Sequence, residues 1–217
     1  VNMEGVSLNT TSGPIYIDDG ATVMEGSLLR GPLYIGKNSV VKMGAKIYGD
    51  TTIGQEVKVG GELSNVVFFG FSNKGHDGFL GNAVVGQWCN IGAATDASNL
   101  KNDYSNVKAW SYSQNRFIDT GLQFCGLLMG DHSQCAIHTT FNTATTVGVG
   151  CNIFGSGFPR TYIPSFSRGG AQGLVENKIE KVQQTAQLMM QRRGQRIDES
   201  YNNLLADIFG QTAAFRK

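Results

Sequence analysis

Apolar residues recur at every sixth position along most of this chain, and mainly polar residues separate them. The first series of these positions is Ile17, Val23, Leu29, Ile35, Val41, Ile47, Ile53 and Val59. The same period returns later at Phe79, Val85, Ile91, Met129, Cys135, Phe141, Val147 and Ile153. Small residues such as Ala21 and Ser27 often stand four positions after the apolar one. We expect the apolar side chains of both series to fill one continuous core.

A period of six fits neither the 3.6-residue turn of a helix nor the alternation of a simple hairpin array. It predicts short flat strands that each point one apolar side chain inward before the chain turns a corner. Three such strands per turn would build a triangular prism of parallel strands with a continuous core. The pattern resembles that of hexapeptide-repeat proteins, and this resemblance implies a left-handed coil, an exception to the usual right-handed crossover. We therefore predict an all-β fold, a left-handed parallel β-helix, over residues 1–165.

Two segments interrupt the period of six. The first, residues 61–78, contains Gly75 and His76, and we expect the backbone to bend there and to present His76 outside the core. The second, residues 93–121, is polar but contains aromatic residues such as Trp110. An insertion this long in a compact domain is usually either functional or disordered. Its aromatic residues predict an ordered loop that docks on another surface.

The period of six ends after Pro164, and residues 166–217 change to a helical pattern. One predicted apolar helix face consists of Ile179, Val182, Ala186, Met189 and Met190, and a second consists of Tyr201, Leu204, Leu205, Ile208 and Phe209. Gly194 suits the end of the first helix, and Asp198 suits the N-cap of the second. We predict a C-terminal α-helical hairpin that covers the open end of the solenoid.

The composition limits which partners the protein could bind and which cellular compartment it could occupy. The formal net charge of +1 gives no argument for a nucleic-acid or membrane-surface partner. No apolar run approaches the ~18 residues that span a bilayer. The four cysteines lack metal-ligand spacing, so we expect buried thiols in a reducing cytoplasm. Because the chain begins at Val1 without an initiator methionine, we expect it to be part of a longer protein.

Three histidines are the first candidates for titratable chemistry near neutral pH. His138 has the pattern of a solvated surface residue, and His132 stands beside Asp131 and Ser133 in a polar cluster that could lie between subunits. His76 is the strongest candidate, because it follows a glycine at an interruption of the repeat. A zinc site made of the three histidines is a weaker alternative, since the interval of six between His132 and His138 places them on adjacent faces of a coil.

Residues 75–99 carry a more specific pattern. It consists of Gly-His at 75–76, Phe-Leu-Gly at 79–81, Asn-Ile-Gly-Ala-Ala-Thr at 90–95 and Ser-Asn at 98–99. In order and spacing it resembles the acetyltransferase domain of the bifunctional N-acetylglucosamine-1-phosphate uridyltransferase and glucosamine-1-phosphate acetyltransferase family. The resemblance implies an acetyl-CoA-dependent N-acetyltransferase acting on an amino sugar or sugar-1-phosphate, as the C-terminal part of a sugar-1-phosphate nucleotidyltransferase. It also implies a homotrimer with sites between subunits and no need for a metal.

The resemblance assigns a role to individual residues. His76 falls on the general base, and an imidazole with an ordinary pKa near ~6.5 suits proton removal from an amine at neutral pH. Asn99 would help to orient the base and the acyl group, and Asn90 would contact the acceptor. The backbone amides expected to bind the pantetheine arm belong to Asp131, Ser133, Thr145 and Gly148.

The sequence also departs from the family pattern at the phosphate-binding positions. Phe79 replaces a tyrosine, and Ser64 replaces a lysine, so contacts to a sugar phosphate are lost at a cost of ~1.5–3 kcal/mol for each charged hydrogen bond. The candidates that could contact the acceptor instead are Phe79 itself, Lys46, Lys58, Lys74 and Lys108. The same departures motivate an alternative function, a non-catalytic trimerisation and regulatory module of a nucleotidyltransferase.

Overall fold

Residues 1–216, which the computed structural model describes, coil into a triangular prism of short parallel strands followed by two helices. This is the predicted left-handed parallel β-helix with a helical hairpin. Each coil of the prism except the last contributes a strand to face A, then to face B, then to face C. In the regular part, successive strands of face A begin 18 residues apart, at Thr22, Val40 and Lys58.

Faces B and C are continuous with each other through two long strands, β11 (Glu62–Phe68) and β13 (Phe79–Val85). Face A contains β1 (Asn2–Met3), β4 (Thr22–Val23), β7 (Val40–Val41), β10 (Lys58–Val59), β12 (Asn73–Lys74), β14 (Asn90–Ile91), β19 (Gln134–Cys135), β22 (Asn152–Ile153), β24 (Ser167–Gly170) and the antiparallel β25 (Gly173–Glu176). Face B contains β2 (Ser7–Asn9), β5 (Leu28–Arg30), β8 (Lys46–Ile47), the first halves of β11 and β13, β15 (Asp96–Ala97) and β20 (Thr140–Phe141). Face C contains β3 (Ile15–Ile17), β6 (Leu33–Ile35), β9 (Thr51–Ile53), the second halves of β11 and β13, β18 (Leu128–Met129), β21 (Thr146–Val147) and β23 (Tyr162–Ile163). Because β24 pairs with β22, face A continues past the boundary predicted at residue 165.

The predicted inward residues are buried, except that Ile17 and Phe79 are only half-buried. Val41, Ile53 and Val147, for example, all belong to a single core cluster that runs the length of the prism. Phe79 was predicted to point inward, but it is only half-buried, and its neighbour Leu80 is fully buried in its place. The interval from Leu80 to the next inward residue, Val85, is five residues rather than six, so the prediction, which counts back six, reaches Phe79 instead.

The insertion is ordered, and its bounds differ from the prediction. Residues 93–97 belong to a regular corner and to β15, so the insertion proper is residues 98–127. It contains an antiparallel hairpin formed by β16 (Lys108–Ser111) and β17 (Arg116–Asp119). Trp110 stacks on Tyr162 with a ring-centroid distance of 4.0 Å, which docks the hairpin on face C.

The C-terminal hairpin consists of α1 (Ile179–Gln191), α2 (Glu199–Gln211) and a short 3-10 helix, Ala213–Arg216. Asp198 caps α2 as predicted, since its side chain accepts a hydrogen bond from the Tyr201 amide at 2.8 Å. The prediction that the hairpin covers the open end of the solenoid is wrong. Contacts from α1 reach Gln134, and Arg193 beyond its end reaches Asn73, so the helix lies along the side of the prism. None of the helices in residues 1–216 is long and apolar enough to cross a membrane.

Candidate functional site

A groove of about 650 Å³ lies between face A and the C-terminal half of α1. Its lining residues are Lys42, Lys58, Phe71, Asn73, Gly75, His76, Trp88, Asn90, Ile91, Gly92, Ala93, Gln134, Ile137, Thr185, Met189, Arg192 and Arg193. His76 and Asn90, two of the residues predicted to bind or react, lie together in it. The groove is therefore the candidate site that the sequence prediction and the geometry share.

The floor of the groove is a ladder of polar side chains on face A. Lys58, Asn73, Asn90 and Gln134 are register partners on four successive coils. Their outward position follows from the alternation of side chains along a strand, since the residue after each of them points inward. Neighbouring strands lie about 4.8 Å apart, so the ladder offers closely spaced amide donors and acceptors to a ligand lying along the prism.

Stacked aromatic rings form the wall at the corner between faces C and A. Phe71 stacks on Trp88 at 4.3 Å, and Trp88 stacks on His132 at 6.4 Å. All three residues have left-handed backbones, with φ values of 63°, 58° and 56°. Such a conformation is costly for residues other than glycine, so rings at these corners require compensation from packing. The helices supply it at His132, where the Tyr201 hydroxyl lies 2.7 Å from Nε2.

His76 projects because the corner of the neighbouring coil is short. Four residues connect β12 to β13 and include His76, whereas only Gly60 and Gly61 connect β10 to β11. A Cβ on Gly61, at φ +72°, would lie 2.7 Å from the Gly78 carbonyl oxygen and 2.9 Å from Lys74 Nζ. Only glycine fits this close approach, and the tucked corner leaves His76 exposed at the edge of the groove.

Lys74 does not occupy the position predicted for it. It is the register partner of Val59, points into the core, and has no exposed surface. Its ammonium group donates hydrogen bonds to the carbonyl oxygens of His76 at 2.7 Å and Gly60 at 3.3 Å. Burial lowers its pKa to about 8. The predicted contact between Lys74 and an acceptor is therefore wrong in this structure, and Lys74 instead ties the His76 corner to the short corner above it.

Of the other predicted contacts, Lys58 lines the groove, whereas Lys46 and Phe79 on face B and Asn99 and Lys108 in the insertion lie outside the lining. Lys46 is exposed and forms an ion pair with Glu62 at 3.5 Å, which neutralises the charge expected for a phosphate. Phe79 donates its amide to Asp96 at 2.7 Å. The side chain of Asn99 donates to Asn82 at 2.7 Å, and Lys108 is an exposed residue of the inserted hairpin. Within one chain, the structure does not bring these four residues together with His76.

Two of the four amides expected to bind pantetheine are already engaged within the solenoid. The Gly148 amide donates to Ile163, and the Thr145 amide donates to Asn142. The Ser133 hydroxyl is fully buried and donates to the Gly148 carbonyl at 2.6 Å. Asp131 accepts a hydrogen bond from the Gln87 amide at 2.7 Å. The amides of Thr145 and Gly148 are therefore not free to bind a cofactor, while the role predicted for the amides of Asp131 and Ser133 stays a prediction.

His132 and His138 are corner residues rather than groups poised for chemistry. His132 is buried between Trp88 and Tyr201, and burial lowers its pKa to about 4, so it is neutral near pH 7. His138 is exposed at a left-handed corner, with φ of 56°. Among residues 1–216, no three His, Cys, Asp or Glu side chains converge as a metal site would require.

The cysteines are free thiols; Cys89, Cys135 and Cys151 are buried as the sequence predicted, whereas Cys125 is only half-buried. Burial raises the pKa of Cys89 to about 12 and that of Cys151 to about 11. A thiol must lose its proton to act as a nucleophile. These two residues therefore pack as small apolar groups at neutral pH.

Comparison with solved structures identifies the same fold in other proteins. A hexapeptide transferase family protein from Anaplasma phagocytophilum has a TM-score of 0.51 and 13% identity, and the match covers 94% of this chain and 98% of that one. The polySia-specific acetyltransferase NeuO has a TM-score of 0.52 and 12% identity, over 85% of this chain and 94% of that one. At these identities the likeness shows the fold alone. No protein-family model and no curated protein matches the sequence.

The sequence analysis assigned no individual residue of the helices to the site. Thr185, Met189, Arg192 and Arg193 line the groove although they lie more than 100 residues from His76 along the chain. The aromatic residues at the corner positions, Phe71 and Trp88, were the available signal. Corners of this kind favour glycine or asparagine, so rings there indicate that something packs on them.

Proposed function

We propose that the protein is an acyl-CoA-dependent acyltransferase that uses the groove, with acetyl-CoA as donor and the amine of an amino sugar or sugar-1-phosphate as acceptor. The observation that carries the proposal is the position of His76. It is the only histidine among the residues that line the described groove, and it lies at the edge of an amide ladder. Two proteins whose names describe them as transferases share the fold, which agrees with this chemistry.

The proposed reaction needs one proton acceptor and no covalent intermediate. The acceptor amine attacks the thioester carbonyl while His76 takes the proton that the nitrogen loses. The carbon–sulfur bond then breaks, and the departing thiolate receives that proton from the His76 imidazolium, so that CoA leaves as a thiol and the base is restored. Asn90, on the floor of the groove, would hydrogen-bond the acceptor. General-base catalysis of this kind contributes about 10²–10⁴-fold to the rate.

We also propose that the active form is a homotrimer in the cytoplasm. What supports the trimer is that Phe79, Asn99 and Lys108 lie outside the His76 groove of the same chain. If they take part in the reaction, a second copy must bring them to the site. The buried free thiols agree with a reducing compartment.

The proposal is tested by measuring thiol release from acetyl-CoA with a panel of amines. The panel contains glucosamine, glucosamine-1-phosphate and other amino-sugar 1-phosphates, each paired with the N-acetylated form that offers no amine. We expect at least one amine to accelerate thiol release and its N-acetylated pair to have no effect. If no acceptor responds, the enzymatic proposal fails, and the non-catalytic trimerisation and regulatory module becomes the better account.

A further inference from the structure

Four cationic side chains meet at one end of the groove. Lys42 and Lys58 come from the prism, and Arg192 and Arg193 follow the last turn of α1. The pKa of Lys58 lies below its ordinary value, first because of the charge of Arg193, and then because of burial and the charges of Lys42 and Arg192. Each of the other three groups is thus close enough to Lys58 to repel its charge.

The anionic groups near this cluster balance only part of its charge. Arg193 donates to Asn73 at 2.8 Å and lies 3.6 Å from the carboxylate of Glu56. In the part of the chain that the structure describes, Lys42, Lys58 and Arg192 form no ion pair, and no lining residue of the groove is an Asp or Glu. Arg193 is thereby fixed in place, while three further positive charges remain available to a ligand.

The cluster adjoins the proposed base. A Cβ on Gly75 would lie 4.0 Å from Lys42 Cε, so the Lys42 side chain passes beside the residue that precedes His76. A ligand held by the cations therefore extends along the amide ladder toward the imidazole. Guanidinium groups match the geometry of phosphate oxygens with two parallel hydrogen bonds, and lysines add point charges.

We propose that Lys42, Lys58, Arg192 and Arg193 form a binding site for a phosphate or diphosphate group of a reactant that His76 serves. The inference rests on the proposed function for the identity of that reactant. The phosphate belongs either to the nucleotide part of the acyl-CoA donor or to a phosphorylated acceptor. Binding an anion there relieves the repulsion among the cations, which favours phosphate over a neutral sugar.

Calorimetry with defined probes tests the site. The probes are inorganic pyrophosphate, CoA, 3′-dephospho-CoA, pantetheine, glucosamine-1-phosphate and glucosamine. The variants are Lys58→Met and Arg192→Gln, with Arg196→Gln as control, because Arg196 is an exposed arginine two residues past Gly194 and outside the groove. We expect Lys58→Met and Arg192→Gln each to weaken pyrophosphate binding by about 10-fold or more, as loss of a charged hydrogen bond predicts. Arg196→Gln should bind like the wild type.

Comparing the affinities of paired probes shows which reactant carries the phosphate that the site binds. If the variants weaken CoA more than pantetheine, the site serves the donor; if they weaken glucosamine-1-phosphate more than glucosamine, it serves the acceptor. Equal pyrophosphate affinity in wild type, Lys58→Met and Arg192→Gln would overturn the inference, and so would an equal loss in Arg196→Gln. The outcome is separable from the proposed function, because pyrophosphate binding requires no acyl transfer. Lys58→Met should fold with unchanged or higher thermal stability, since it removes a repelled charge.

Discussion

Replacing His76 with glutamine should slow thiol release from acetyl-CoA by about 10²–10⁴-fold, the usual contribution of a general base. Glutamine keeps a polar side chain of similar reach but does not accept a proton from an amine. The loss should appear mainly in kcat, because Asn90 and the rest of the groove still bind the reactants. His76 is exposed, and no side-chain hydrogen bond joins its imidazole to the described residues, so the fold should be unaffected.

His138→Gln is the matched control for this prediction. His138 is also an exposed histidine, it lies at the same edge of the prism on a later coil, and it does not line the groove. We expect its variant to retain wild-type kcat. A His76→Gln enzyme with wild-type kcat, or a His138→Gln enzyme with an equal loss, would remove His76 from the role of base.

Replacing Lys74 with alanine should lower the free energy of unfolding by about 2–5 kcal/mol, comparable with truncation of a large buried side chain. The change empties a core position and leaves the carbonyl groups of His76 and Gly60 without their donor. Lys74→Met keeps most of the volume and should cost less. Because the ammonium group holds the carbonyl of His76, we expect Lys74→Met to fold and yet to lower kcat. Denaturant unfolding and the thiol-release assay measure the two effects separately.

The stability difference between wild type and Lys74→Met should also depend on pH. Burial lowers the pKa of Lys74 to about 8 in the folded state, whereas an unfolded lysine has its ordinary pKa near ~10.4. Between these values the unfolded chain binds more protons than the folded one, so the wild type gains stability as the pH rises from about 8 toward ~10.4. Lys74→Met lacks this group, so the difference between the two proteins isolates it. A difference that stays flat or falls over this window would show that the ammonium is not buried as described.

Much of the fold follows from the period of six, because a single inward position per strand repeats wherever the coil is regular. Val41, Ile53 and Val147 lie where the pattern placed them. The pattern failed where the spacing changes. Inside the long strands β11 and β13 the interval between inward residues is five rather than six, from Leu63 to Phe68 and from Leu80 to Val85. The first shortening turns Lys74 into the core, and the second places Leu80 rather than Phe79 inward. Hydrophobic patterning does not predict a lysine at an inward position. Here two backbone carbonyl groups accept hydrogen bonds from its ammonium group and so compensate for its burial.

The candidate site was predictable only in its local part. His76 and Asn90 lie near each other because they belong to neighbouring coils, which the repeat brings together. Arg192 and Arg193 reach the same groove through the docking of α1, and no periodicity specifies where a helix rests on a prism. Ser133 and Thr145 show that a resemblance in sequence does not by itself establish a ligand contact. A position that resembles a ligand contact in a repeat is also a position where coils hydrogen-bond to one another, and here the coils use it.

The most direct measurement of the central claim is the NMR signal of the His76 imidazole during titration with acetyl-CoA. The chain has only three histidines, and His76→Gln assigns the resonance by its disappearance. The account predicts that the His76 resonance shifts and saturates at the acetyl-CoA concentration that saturates thiol release. A His76 resonance that stays unmoved up to about 1 mM acetyl-CoA, the upper end of common KM values, would contradict it.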